Sequence, residues 1–310
     1  MQAARIRSFG SADVLYIDEI PIPEPQRDEI LVRVRAVSVN PVDYKMREGE
    51  IPSVKPEQLP VTLGRDVAGT VARCGEEVVS YRPGDAVYAL LDGNHGGYAE
   101  YVIVKERDLA RKPERLDYLE AAAVPLAAIT AWQGLFDHAK LAPGQHVLVH
   151  GGAGGVGHFA IQLAKQKGAT VSTTVGSEDV DFAHEIGADR AVDYRHERFE
   201  KRVRDADVVL DLIGGETQER SWQVLKEGGA MVSTVSQPSV EMARSRRAIG
   251  ELYLSKPNAE ELAAIAQLVD DGKVTPHVHA VYPLAAVREA QTELEQGHVR
   301  GKVVLAVGEA

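Results

Sequence analysis

The chain has 310 residues, more than the roughly 250–300 at which a single core stops growing, so two domains are expected. Hydrophobic residues at 44% and charged residues at 26% form a globular balance that excludes a disordered, coiled-coil or collagen-like chain. A net charge of −11 without a long basic run argues against a nucleic-acid partner, and a single cysteine, Cys74, excludes an intramolecular disulfide and a zinc site built on several thiolates.

The opening MQAARIRSFG is not followed by an apolar segment, and no stretch approaches the ~18 apolar residues of a membrane helix. A soluble, unexported, cytoplasmic protein with no membrane partner is expected. Up to about residue 118 the texture is strand and turn: EILVRVRAVSV alternates with period two, DVAGTVARCG and GDAVYALL are apolar and β-branched, and RPGD is a turn. RLDYLEAAAVPLAAITAWQGLFDHAKLAPGQ then changes to helical period, interrupted at Pro125 and stopped at APG.

From HVLVH onward strands and helices alternate: HFAIQLAKQKG is helical, ATVSTTV a strand, SEDVDFAHEIGAD helical, DVVLDLIG a strand, TQERSWQVLKEGG helical and AMVSTVS a strand. This pattern predicts βαβ units and a doubly wound parallel sheet, so the fold class is α/β. AIGELYLS reads as an edge strand able to pair with a second copy, which makes a homodimer the expected assembly. NAEELAAIAQLVDDGK is an amphipathic helix, and the last strand, GKVVLAV, has no βαβ partner after it.

Five glycines fall within residues 151–157, and Gly152, Gly154 and Gly157 fit G-x-G-x-x-G between a strand and a helix. That context asks for a tight turn at the first glycine, bare backbone at the second for a pyrophosphate, and close packing at the third. Gly152, Ala153, Gly154, Gly155, Val156 and Gly157 are therefore expected to cradle a dinucleotide. The second strand ends on Thr173, Thr174 and Val175 with no carboxylate until Glu178; Thr174 leaves room for a 2′-phosphate and Ser177 is able to donate to it. At the end of the third strand Tyr194 and Arg195 follow, Arg195 suited to pair with phosphate, so NADPH is favoured over NADH, against the nearby charges of Glu178 and Asp179. Ile213 and Gly214, and Thr234, Val235 and Ser236, end the fourth and fifth strands, where cofactors bind.

Six segments in order, SVNPVDYKMREG, LGRDVAGTV, GGYAEYV, AAAVPLAAITAWQGL, HGGAGGVGHFAIQLAK and GHVRGKVVLAV, resemble the medium-chain dehydrogenase/reductase superfamily in its zinc-free, zeta-crystallin-like NADPH:quinone oxidoreductase branch. The resemblance implies a GroES-like, mostly-β catalytic domain from residues 1–120 plus 256–310, with a Rossmann cofactor domain, 121–255, inserted and the active site in the cleft between them. It also implies hydride transfer from NADPH to a small quinone or α,β-unsaturated carbonyl. An enoyl-thioester reductase and a non-catalytic NADPH-binding sensor or structural protein stand as alternatives.

Zinc-dependent relatives have a cysteine where this chain has Asn40, a His-Glu pair at Arg65-Asp66, and a second cysteine near Leu126, so no metal is expected. Arg65 and Asp66 are read as bridging to each other or to a neighbour, and His95 and His150 as surface polar residues. By the pattern N-x-x-D the resemblance places Asn40 and Asp43 beside the nicotinamide ribose, Tyr44 facing the acceptor as a proton donor, and Thr130 at the carboxamide. Either Arg300 or Lys302 of the tail is expected to reach cofactor or substrate. The acceptor pocket is assigned to irregular loops in MREGEIPSVKPEQLP and LLDGNHGG.

Overall fold

The structure, a computed structural model, describes residues 1–51, 54–93 and 95–308; Pro52, Ser53 and Asn94, in the two stretches expected to form the acceptor pocket, lie outside the described residues. The chain forms two compact units, one of residues 1–126, 256–272 and 276–310, the other of 127–255 and 273–275.

The first unit is built on a seven-stranded sheet. Its longest strand, Glu29–Val39, pairs antiparallel with Asp66–Cys74, with Tyr101–Lys105 and with the C-terminal strand Lys302–Ala306. The last strand, which has no βαβ partner after it, closes onto the N-terminal sheet, with Val303 opposite Val39, and pairs in parallel with Val278–Pro283 on its other side. Alternation buries Ile30, Val32 and Val34 together with Val67, Val71, Val102, Val104, Val303 and Leu305 in one apolar core. At the end of the long strand Asn40-Pro41 opens the helix Pro41–Glu48, which stops at Gly49 with φ +80°. The predicted irregular loop after Tyr44 is therefore helical as far as Glu48.

The second unit carries six parallel strands, His146–His150, Thr170–Val175, Arg190–Asp193, Ala206–Asp211, Leu225–Ser233 and Ile249–Leu252. Numbered along the chain their spatial order is 3-2-1-4-5-6, the Rossmann order, whose reversal lies between His146–His150 and Ala206–Asp211. Val147, Leu148 and Val149 are wholly buried because helices cover both faces of such a sheet. Ile249–Leu252 forms the edge and leaves Ile249 and Leu252 exposed.

Two helical expectations change. The stretch around Pro125 is a short helix Tyr118–Ala122, a second helix Pro125–Trp132 begun by the proline, and a π-helical turn Gln133–His138. TQERSWQVLKEGG is helical only within Gly215–Ser221, and Leu225 already starts a strand. Trp222, Val224 and Leu225 are buried in the core of this unit, and Gly229 lies so close to the Asp207 carbonyl that a Cβ would stand 2.8 Å from that oxygen. Tertiary packing overrides helical propensity there.

Candidate active site

The glycine loop follows directly from the first parallel strand and runs into the helix Gly157–Gln166. A Cβ on Gly157 would stand 2.7 Å from the Gly152 Cα and closer still to the Gly151 carbonyl; one on Gly152 would press into the Thr173 hydroxyl and stand 2.9 Å from Ile161 Cδ1. Those two glycines are required by the protein itself. Gly154 differs: the nearest atom to a Cβ there is the Gly151 oxygen at 3.4 Å, an ordinary contact. Gly151 carries the turn with φ +75°. The N–H groups of Gly155, Val156 and Gly157 have no acceptor among the described residues, and they lie at a helix N-terminus. A pyrophosphate fits this cradle, since bare backbone, free donors and the positive helix end converge on it.

Beneath the loop the sequence reading of His150 is overturned. It is wholly buried, with Nδ1 3.0 Å from Thr174 Oγ1 and Nε2 2.8 Å from Ser221 Oγ. Ser221 donates onward to the Thr217 carbonyl, so Nε2 carries the proton and Nδ1 accepts from Thr174. Burial lowers this imidazole to about 4, which keeps it neutral. Its strand is covered on both faces, and that position, rather than the glycines after it, was the available signal. Thr174 supports the loop from below: its hydroxyl also meets the Gly151 N–H at 3.4 Å, and its carbonyl accepts from the Gly152 N–H.

At the carboxyl ends of the fourth and fifth strands, buried Asp211 accepts from the N–H groups of Ile213 and Gly214 and from Gln218 Nε2 and Ser233 Oγ, at 2.8–3.1 Å. Ser233 in turn accepts from the Val235 and Ser236 N–H groups. This clamp aligns both predicted segments and leaves the side chains of Ile213 and Val235 about half exposed, while Thr234 is half-buried. Thr130 is buried and donates to Ser255 Oγ at 2.9 Å. Ser177 donates to Asp193, and Arg195 forks onto Glu178.

In the first unit Asn40 and Asp43 belong to a buried polar cluster that the sequence did not reveal as a whole. Asp66 accepts from Ser38 Oγ at 2.5 Å, from Asn40 Nδ2 at 2.8 Å and from the Leu126 N–H at 2.6 Å. Lys302 donates to Asn40 Oδ1 and to the Val39 carbonyl, and its ammonium stands 3.8 Å from Asp66. Asp43 accepts from the Asn40 N–H and from the Tyr98 hydroxyl, both at 2.9 Å; its other oxygen is buried without a partner. Burial raises Asp43 to about 6 and lowers Lys302, whose charge is supported by Asp66 and Asp43. Arg65 does not pair with Asp66 but donates to the Leu91 carbonyl.

Tyr44 is half-buried, and its hydroxyl has no hydrogen-bond partner among the described residues. Burial and the carboxylates Glu295, Glu48 and Glu50 raise its pKa, so the charges nearest it are those of the helix end and the tail helix, not the Asn40 cluster. Arg300 is half-buried and His95 exposed.

Two family models match, one described as an alcohol dehydrogenase GroES-like domain over residues 26–114 and one as a zinc-binding dehydrogenase over 186–305. A 2-methylene-furan-3-one reductase of Solanum lycopersicum is 37% identical over 98% of this chain and 79% of its own length. The chain belongs to the medium-chain dehydrogenase/reductase superfamily. Within this superfamily of oxidoreductases it resembles the quinone oxidoreductases and alkenal reductases. An NADPH-dependent alkenal/one oxidoreductase of Arabidopsis thaliana is 36% identical over 98% of this chain and 79% of its own length. A quinone oxidoreductase structure from Coxiella burnetii superposes with a TM-score of 0.92 at 36% identity, covering 99% of both chains.

The second family model carries zinc in its description, and the donor set here does not suit that ion. Around Asn40 the chain offers amide, hydroxyl, carboxylate and an ammonium that already places positive charge beside Asp66. Among the described residues no group of three His, Cys, Asp or Glu side chains is arranged for a metal, whereas zinc asks for at least three such ligands.

Gly157→Ala is expected to lower stability by about 2–3 kcal/mol, because backbone must move to admit the methyl group. Gly154→Ala should leave the urea midpoint nearly unchanged while weakening dinucleotide binding about tenfold or more; equal effects of the two on stability would contradict the separate roles. A raised carboxyl holds its proton longer in the folded chain, so the stability from Asp43 is present below about pH 4 and is lost as pH rises through about 6. Relative to Asp43→Asn, the wild type should lose about 2–3 kcal/mol between about pH 4 and about pH 7.5, read from urea midpoints; a pH-independent difference contradicts the assignment.

Proposed function

We propose that the protein is a zinc-independent reductase that transfers a hydride from NADPH to a quinone or an α,β-unsaturated carbonyl. The observation that carries the proposal is the glycine cradle, where the bareness of Gly154, unlike that of Gly152 and Gly157, is not required by the protein's own packing, in a sheet of Rossmann order. The names of the tomato, Arabidopsis and Coxiella relatives support the same reaction class and, for the Arabidopsis protein, the same cofactor.

When bound, NADPH supplies the hydride, so the acceptor must already be electrophilic. The chain's own part is to hold and to shield. The free N–H groups of Gly155, Val156 and Gly157 take the pyrophosphate, Ile213 and Val235 offer apolar surface at the strand ends, and Thr130, Thr234 and Ser236 supply hydroxyls. Asn40 is fixed in one orientation, its oxygen on Lys302 and its nitrogen on Asp66, which suits a residue that positions a ribose without moving. Tyr44 keeps its proton at neutral pH and is the proposed donor to the oxygen of the reduced acceptor. The donor set around Asn40 supports a mechanism without Lewis acid. A single cysteine accords with a reducing compartment such as the cytoplasm, and no helix among the described residues is long and apolar enough to cross a membrane.

NADPH oxidation should be measured with 9,10-phenanthrenequinone, 1,4-benzoquinone, an enone and crotonyl-CoA. Turnover is expected with the quinones and the enone, and Tyr44→Phe should reduce kcat for the enone roughly 100-fold with NADPH binding intact. Tight NADPH binding without turnover on any acceptor would overturn the enzymatic reading, and turnover on crotonyl-CoA alone would move it to thioesters.

A further inference from the structure

The second parallel strand ends at Val175, and the chain turns through Gly176 into the short segment Ser177–Asp179. The third strand runs parallel beside it with Asp193 opposite Val175, so Tyr194, Arg195 and His196 emerge next to that turn. In a sheet of this order the adenosine ribose of a dinucleotide lies at the end of the second strand.

The side chains gathered there are engaged with one another. The two terminal guanidinium nitrogens of Arg195, Nη1 and Nη2, meet the two oxygens of Glu178, the Nη2–Oε1 distance being 2.9 Å. Ser177 Oγ donates to Asp193 Oδ2 at 2.6 Å, and His196 Nδ1 lies 2.7 Å from the same oxygen. These hydrogen bonds hold Asp193 down at about 2, so it remains an anion. Gly176 permits the fold-back of Glu178, since a Cβ there would stand 2.9 Å from its carboxylate. In the segments 176–179 and 193–196 there are thus three carboxylates, and Arg195 is the one permanently charged cation.

We infer that Glu178 sets how strongly this site discriminates NADPH from NADH, by competing with the cofactor's 2′-phosphate for Arg195. The inference rests on the cofactor reading above. A guanidinium fork matches a carboxylate and a phosphate equally well in geometry. A 2′-phosphate brings roughly two negative charges to a place that already holds Glu178, Asp179 and Asp193. It gains the Nη1–Nη2 fork of Arg195 only by displacing Glu178, whereas NADH binds with the Glu178–Arg195 pair undisturbed. Both dinucleotides are therefore accepted, with a modest preference that depends on one carboxylate.

The test is titration of the full chain with NADPH and NADH, in the wild type, Glu178→Gln, Arg195→Gln and the double variant. Glu178→Gln is expected to tighten NADPH roughly fivefold and to change NADH less than about twofold, and the gain should vanish when Arg195 is also replaced. An unchanged NADPH/NADH ratio in Glu178→Gln, or the same gain without Arg195, would overturn the inference. So would a loss confined to NADH, because Glu178 would then be a direct ribose ligand. If the wild type binds neither dinucleotide the cofactor reading falls; if it binds both and the ratio does not move, the competition alone falls.

Discussion

The first unit is organised around one buried carboxylate. Asp66 draws in Ser38 at the end of the longest strand, Asn40 at the start of the next helix, the N–H of Leu126 sixty residues on, and Lys302 of the last strand. An uncompensated charge in such a place costs about 3–5 kcal/mol, so each partner is fixed by the need to satisfy the others. That is how an N-terminal strand, a mid-chain helix and a C-terminal tail come to share one point. Asn40 inherits its orientation from this arrangement: ammonium on its oxygen and carboxylate on its nitrogen leave the amide only one way to face.

The second unit uses the same device. Asp211 accepts from two backbone N–H groups and two side chains, and the loops after the fourth and fifth strands follow from those bonds. Under the glycine loop a neutral chain performs the equivalent task, Thr174 to His150 to Ser221 to the Thr217 carbonyl. Loops at the carboxyl ends of parallel strands carry exposed functional groups, and they need rigid support that the apolar core does not extend to them. Buried polar groups hydrogen-bonded to one another and to the loop backbone provide it.

Local signals made much of this readable from sequence. The alternation of strand and helix announces the parallel sheet, an unpartnered final strand announces a return to the first sheet, and the glycine spacing with its flanks separates the packing glycines from the bare one. Long-range pairing was not readable. Lys302 and Asn40 lie 262 positions apart, and nothing near either names the other. Arg47 falls in a stretch that reads as an irregular loop, yet it is fully buried, donating to the Gly10 carbonyl and to Gln291 at 2.9 and 2.8 Å. Tyr98 directly follows LLDGNHGG, which reads as an irregular loop, and proves to hold Asp43. His150 misleads for the opposite reason: its neighbours in sequence form a surface loop while its own side chain points under that loop.

The account stands on hydride transfer to an electrophilic acceptor, and isotopic labelling tests this most directly. NADPH carrying deuterium at the transferable C4 position should be incubated with the protein and an α,β-unsaturated ketone, and the product analysed by mass spectrometry and NMR. One deuterium at the carbon β to the carbonyl is the predicted result. Reduced product free of deuterium, or deuterated cofactor left unconsumed while bound, would contradict it.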